Sequence, residues 1–336
     1  KGVTQALFNL GLLYSKGNNG DFPINKTKAA QLFEQGSNQG DPNATLNLAL
    51  MYSSGEGVSR VDKKKAAELF KKVAKLNNPN AQFNLGLLYS KGEGVEKNPR
   101  KACKYYERAA NQGISKAKFN LGVLLYQGAE GVTQDKQKAA KLFQEVSNKN
   151  GKANFNLAVM HEKGDGVQKD QQKALYYYKK AADLNNKDAL LNLGCMHEEG
   201  IGGAPLDKRK AFDYYQRAAA LGSDKAQTNL GLMYLKGEVC PLDKAKAKEC
   251  FSRASEKGNQ QAELNLGLLL NEGNQDDQNR AVEYLQRAAN KGNSEAQQLL
   301  ASKYPNYDYT QNANQNYNNT QNTNQNYNNF QNTLSN

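Results

Sequence analysis

The sequence has no run of 18 or more apolar residues, which excludes a helix that crosses a bilayer. It has no tryptophan and only two histidines, His161 and His197. Four cysteines occur, Cys103, Cys195, Cys240 and Cys250, with no CxxC pair among them. That spacing reads as reduced, mostly buried thiols, with a Cys240–Cys250 bridge as the minor alternative, and it fits a cytoplasmic chain. Nucleophile elbows, H-E-x-x-H, Walker loops and paired-carboxylate sites are all missing. The expectation is therefore a protein that is not an enzyme and needs no cofactor. A zinc site requires three or four converging ligands, and no third ligand accompanies the two histidines. No signal peptide is visible, and the chain opens KGVTQALFNLG without a methionine.

What the sequence has in abundance is repetition. An alanine returns at Ala6, Ala44, Ala81, Ala117, Ala153, Ala189, Ala226, Ala262 and Ala296, at intervals of 34 to 38 residues. A second series runs through Ala29, Ala66, Ala102, Ala139, Ala174, Ala211, Ala247 and Ala281. Two alanine-anchored segments per unit of about 36 residues are the mark of stacked helical hairpins. The first segment reads A-x-x-N-L-G-x-L-Y. Its alanine, the leucine four later and the tyrosine eight later share one helical face, and its glycine permits a close second helix. The second reads K-A-x-x-[LY]-[FY]-x-x-A, with an aromatic pair such as Tyr105 and Tyr106 for the hairpin core. Between them lies G-x-G-V, as at Gly92, Gly94 and Val95. No strand precedes these glycines, so they read as a helix C-cap and tight turn rather than a phosphate loop. His161 and His197 take the tyrosine position of their hairpins, a core slot.

These residues resemble the Sel-one-like repeat (SLR) family, a cousin of the tetratricopeptide repeat. The family pattern A-x-x-x-L-G-x-x-Y, G-x-G-V, D-x-x-K-A-x-x-[WY]-[YF]-x-x-A-A is met almost throughout by AQFNLGLLYSKGEGVEKNPRKACKYYERAANQG, with asparagine in the aspartate slot. The resemblance covers roughly residues 1 to 304. It implies an all-α fold, a right-handed α-solenoid (superhelix) of stacked antiparallel helix pairs. Eight pairs and a ninth first-helix are expected, with Gln298, Leu299 and Ala301 marking the last as a solvent-facing cap. The eighth turn, NEGNQDDQNR, departs from the pattern by lacking the second glycine and the valine. Lys1-Gly2 matches the end of a second helix, so earlier repeats are expected before Lys1. Bacterial members that staple each hairpin with a disulfide are not matched, because these cysteines do not recur by repeat. Residues 305–336, rich in Asn, Gln and Tyr with one charge at Asp308, form a low-complexity tail expected to be disordered and dispensable for stability.

One feature of the first segment runs against helix propensity. An asparagine sits mid-helix at Asn9, Asn47, Asn84, Asn120, Asn156, Asn192, Asn229 and Asn265, where its side chain competes for backbone hydrogen bonds. Stacked first helices about 8–10 Å apart would turn these residues into a ladder of primary amides. Each amide can donate and accept, and an extended peptide advancing roughly 3.3 Å per residue would meet one about every third residue. The resemblance implies the same, since related helical-repeat proteins hold peptides through such ladders. The candidate peptide-binding residues are Asn47, Asn84, Asn120, Asn156, Asn192 and Asn229, with Phe83, Phe119 and Phe155 beside them as pocket or core. The other reading is that each asparagine bonds to neighbouring backbone and sets repeat spacing.

The expected function is a protein–protein interaction scaffold or adaptor that holds extended peptide segments. Relatives of that kind serve in protein quality control, cell-wall synthase regulation and bacterial–host contact. The net charge of +12, with lysines clustered in DKKKAAELFKK and DKRKAF, raises the alternative of a basic surface for nucleic acid or acidic partners. Interspersed acids make a solvated face the better account of those lysines.

Overall fold

The computed structural model describes residues 2–17 and 23–303. The tail from residue 305 lies outside the described residues. The described residues divide into two compact units, with the boundary between Asn148 and Lys149. Four hairpins make up the first: α1 (Gly2–Lys16) with α2 (Lys26–Asn38), α3 (Pro42–Ser54) with α4 (Lys63–Lys75), α5 (Pro79–Lys91) with α6 (Pro99–Asn111), and α7 (Ser115–Gln127) with α8 (Lys136–Val146). The second holds α9 (Gly151–Lys163) with α10 (Gln171–Asp183), α11 (Lys187–Glu199) with α12 (Lys208–Ala220), α13 (Asp224–Lys236) with α14 (Lys244–Glu256), and α15 (Gln260–Leu270) with α16 (Gln275–Asn290). It closes on α17 (Ser294–Lys303), a single first-type helix. Within each unit every helix packs on the one before and the one after, the α-solenoid arrangement. No described helix is long and apolar enough to cross a membrane.

The hairpin core follows from the repeat. Ala81, Leu85 and Tyr89 are buried on one face of α5, as their spacing predicts. Against them α6 sets Tyr106, only 2% exposed. Its equivalents Phe33, Phe70, Phe143, Tyr178, Tyr215 and Phe251 are each 0–1% exposed. The glycine of the first helix makes room for that ring: a methyl group at Gly86 would come within 2.7 Å of Tyr106, and at Gly194 within 2.4 Å of Tyr215. In α17 only Ala296 and Leu300 are buried; Gln298 and Ala301 are exposed and Leu299 is half-buried.

The turns vary from hairpin to hairpin. First helices end in left-handed glycines at Gly55, Gly92, Gly164, Gly200 and Gly237. In the fourth hairpin Gly128 is extended in ψ, and Ala129 and Val132 bond to each other across the turn. In the eighth, Asn271 ends α15 in right-handed conformation, and α16 begins at Gln275 with 16 residues against the usual 13. The four cysteines are unbridged but half-buried rather than buried. Cys195 and Cys250 pack against the edge of the second unit's core.

Every second helix opens on an Asn or Asp whose side chain accepts a backbone N–H two or three residues on. Those backbone bonds, from Lys173, Lys210 and Lys246, hold the carboxyls of Asp170, Asp207 and Asp243 below the ordinary aspartate value of 3.8. A carboxyl depressed in the folded chain adds stability that is present above 3.8 and is lost as pH falls through its folded value. The triple variant Asp170→Asn, Asp207→Asn, Asp243→Asn keeps the caps, because Asn98 and Asn274 make the same bond, but has no carboxyl to titrate. Its melting temperature is expected to fall less steeply on acidification than that of the parent. Parallel acid limbs in the two proteins would show that the caps contribute nothing to the pH dependence.

Candidate functional site

All the candidate asparagines lie on first helices, at the third position after the buried alanine, and all six are half-buried. Their amides are engaged unequally. Asn47 and Asn84 each donate Nδ2 to a carbonyl one turn back, Asn43 at 2.9 Å and Asn80 at 2.8 Å. Asn120 hydrogen-bonds the Tyr106 phenol and Asn192 the Tyr178 phenol, so each reaches the core ring of the preceding hairpin. The Asn229 Nδ2 lies 3.9 Å from the Cys195 Sγ, one repeat back. Asn156 has no side-chain hydrogen bond among the described residues.

The core phenols link three helices. Tyr178 donates to the Glu162 carboxylate of its own hairpin at 2.7 Å, and Tyr215 to Glu198 at 2.7 Å. Burial first, and then these carboxylates together with the Cys195 thiol beside Tyr215, push both phenols well above the ordinary tyrosine range. They stay protonated donors at any physiological pH. Sequence reasoning missed this network, although the Glu of each MHE triplet, six residues after the asparagine, was there to be read.

The phenylalanines turn inward. Phe83 packs on Tyr106 (6.1 Å between ring centroids), Phe119 on Phe143 (5.7 Å) and Phe155 on Tyr178 (5.8 Å). Phe119 and Phe155 are both 9% exposed, which places them in the hairpin core rather than on a surface pocket. The histidines occupy the slot of Tyr89. His161 stacks on Tyr177 and His197 on Tyr214, as Tyr89 stacks on Tyr105. Each Nδ1 lies against a carbonyl of its own turn, Gln168 or Pro205. Among the described residues no three His, Cys, Asp or Glu side chains converge as metal ligands.

The lysines that open second helices are largely neutralised. Lys26 pairs with Glu56 (2.7 Å), Lys63 with Glu93 (3.1 Å), Lys208 with Glu238, and Lys244 with Glu272 (2.7 Å). In each case the acid sits in the turn of the next hairpin. Exposed pairs of this kind are worth little each, but they leave these lysines poorly placed to grip phosphate.

The geometry is that of stacked two-helix repeats with a glycine turn, an N-capped second helix and one core ring per hairpin. The sequence profile of the Sel1 repeat matches eight times, over residues 4–41, 42–78, 79–114, 115–150, 151–186, 187–223, 224–259 and 260–293. The chain belongs to the Sel1 repeat family. Among solved structures it is similar to c5321, a protective antigen present in uropathogenic Escherichia coli strains and displaying an SLR fold. The two share 27% identity with a TM-score of 0.78, over 92% of this chain and 67% of that one. A Sel1 repeat protein from Oxalobacter formigenes matches at 28% identity and TM-score 0.70, over 90% of this chain and 87% of its own. A comparison with curated proteins found no match. Sel1 repeat proteins are in general protein-interaction scaffolds, typically without catalytic activity.

Proposed function

We propose that this chain is a scaffold that holds extended peptide segments on the asparagine-bearing face of its first helices. Asn47, Asn84 and Asn120 serve the first unit, and Asn156, Asn192 and Asn229 the second. The observation that carries the reading is the recurrence of one half-buried amide at one position of successive first helices. Asn47 and Asn84 spend a single N–H on their own helix, leaving a second N–H and the Oδ1. Asn156 keeps its whole amide. With first helices about 8–10 Å apart, such amides meet an extended backbone about once in three residues. Binding of this kind reads partner backbone more than partner side chains. The partners are therefore proteins that present an unstructured stretch.

The test is a random peptide library displayed on phage and selected against the repeat array. Selected peptides are then titrated by fluorescence anisotropy over a range of salt concentrations. Affinity that depends weakly on salt and falls in asparagine variants is expected. A steep logarithmic salt slope would instead assign the binding to lysines and phosphate-like charge.

A further inference from the structure

A second site lies on the other side of α13. In each repeat the residue eight after the first-helix alanine faces the residue three after the second-helix alanine. Tyr105, Tyr177 and Tyr214 fill that second slot and stack flat on Tyr89, His161 and His197, with ring centroids 5.6–5.8 Å apart. Leu32, Leu69 and Leu142 fill it in three other repeats. In the seventh repeat the slot holds Cys250, facing Tyr234. Phe212 meets the Tyr234 ring edge-on at 5.5 Å and 84°, and the Lys246 ammonium lies 5.4 Å from its centroid, as Lys101 lies 5.2 Å from that of Tyr89, but no ring stacks on its face.

Where the ring is missing there is a pocket of about 360 Å³, open to solvent on one side and lined by Gln227, Tyr234, Lys246, Glu249, Cys250 and Arg253. Gln227 is only 7% exposed, and its Oε1 accepts no hydrogen bond. The equivalent Gln82 of the third repeat is satisfied: its Oε1 accepts from the Gln112 Nε2 at 2.8 Å. At the position of Gln112 the seventh repeat has Lys257, whose Nζ is committed to the Gly222 carbonyl at 3.0 Å. One substitution has thus removed a ring and another the donor that would face Gln227.

We infer that this cavity binds one phenol ring, the tyrosine side chain of a partner protein. The ring lies on Tyr234 as Tyr105 lies on Tyr89, and the hydroxyl meets the Gln227 amide. A hydroxyl both donates and accepts, so it serves either orientation of that amide. Burial pushes the Cys250 thiol up to about 11, which keeps that wall of the cavity uncharged near neutral pH. Glu249 and Arg253 pair with each other at the rim at 2.6 Å. Gln227 and Tyr234, seven residues apart, share one face of α13, and Asn229 lies about 140° around the helix. The site is thus independent of the asparagine face.

The probe is 4-methylphenol, with toluene as the ring that lacks the hydroxyl, both followed by ligand-observed NMR on the full chain. Binding of 4-methylphenol about tenfold tighter than toluene is expected, the worth of one neutral hydrogen bond. Gln227→Leu should remove that preference, while Asn229→Ala leaves it intact. Cys250→Tyr should abolish binding of both rings by restoring the stack, and Cys250→Leu does the same job if the tyrosine variant folds poorly. Either no binding up to the solubility limit, or binding undiminished in a folded slot-filling variant, overturns the inference.

Discussion

Replacing Gly94 with alanine is expected to destabilise the first unit by about 2–5 kcal/mol. The backbone at Gly94 has φ +68°, a left-handed conformation that costs an L-residue roughly 1–2 kcal/mol. A methyl group there would also lie 2.2 Å from the carbonyl carbon and oxygen of Lys63, at the start of the preceding second helix. Backbone cannot yield as a side chain can, and overpacking of this kind adds about 1–3 kcal/mol. Gly57 repeats the arrangement, 2.2 Å from the Lys26 carbonyl oxygen. Gly113 provides the control. Its φ is +87°, but a methyl group there meets nothing within 4 Å, so alanine should cost only the conformational part. Gly113→Asn should be milder still, since Asn77 and Asn185 hold the corresponding left-handed position in other repeats. Circular-dichroism melts of the three variants give the comparison. Equal losses at Gly94 and Gly113 would mean that the close approach between hairpins carries no energy.

That contrast marks where the sequence is legible. The helices, their buried faces and the capping glycine could be read because every repeat states them again. Ala81, Leu85 and Tyr89 share a face by spacing alone, and Gly92 ends its helix by a local backbone need. What Gly94 does could not be read, because its partner is the carbonyl of Lys63 in another hairpin. The N-caps were written in the D/N-x-x-K-A pattern but are visible only as hydrogen bonds once the turn closes. Phe119 and Phe155 left pocket and core both open, with core the better account of aromatics at helical spacing. Their inward packing depends on the ring that the second helix presents, which helical spacing does not specify. The seventh-repeat cavity is a matter of two substitutions, at Cys250 and Lys257, whose meaning appears only when their slots are compared across repeats.

The asparagines answer differently from one another, and that difference separates a binding role from a spacing role. Asn156→Ala removes an amide that bonds to nothing in the described chain, along with the propensity cost of asparagine in a helix. Stability should hold or rise, by up to roughly 0.7 kcal/mol. Asn120→Ala strips a hydrogen bond from the buried Tyr106 phenol, which retains Ser90, and should cost about 1 kcal/mol. If these amides hold partner backbone, each variant should also weaken a selected peptide that spans it by about 1–3 kcal/mol, since peptide groups left in the interface lose their partners. Asn156→Ala is thus the decisive variant: unchanged or improved melting together with weakened binding. If it melts as the parent does and binds the same peptides with unchanged affinity, the amide has no partner to hold. The recurrence of asparagine would then trace to the hydrogen bonds that Asn120 and Asn192 make to the preceding hairpin.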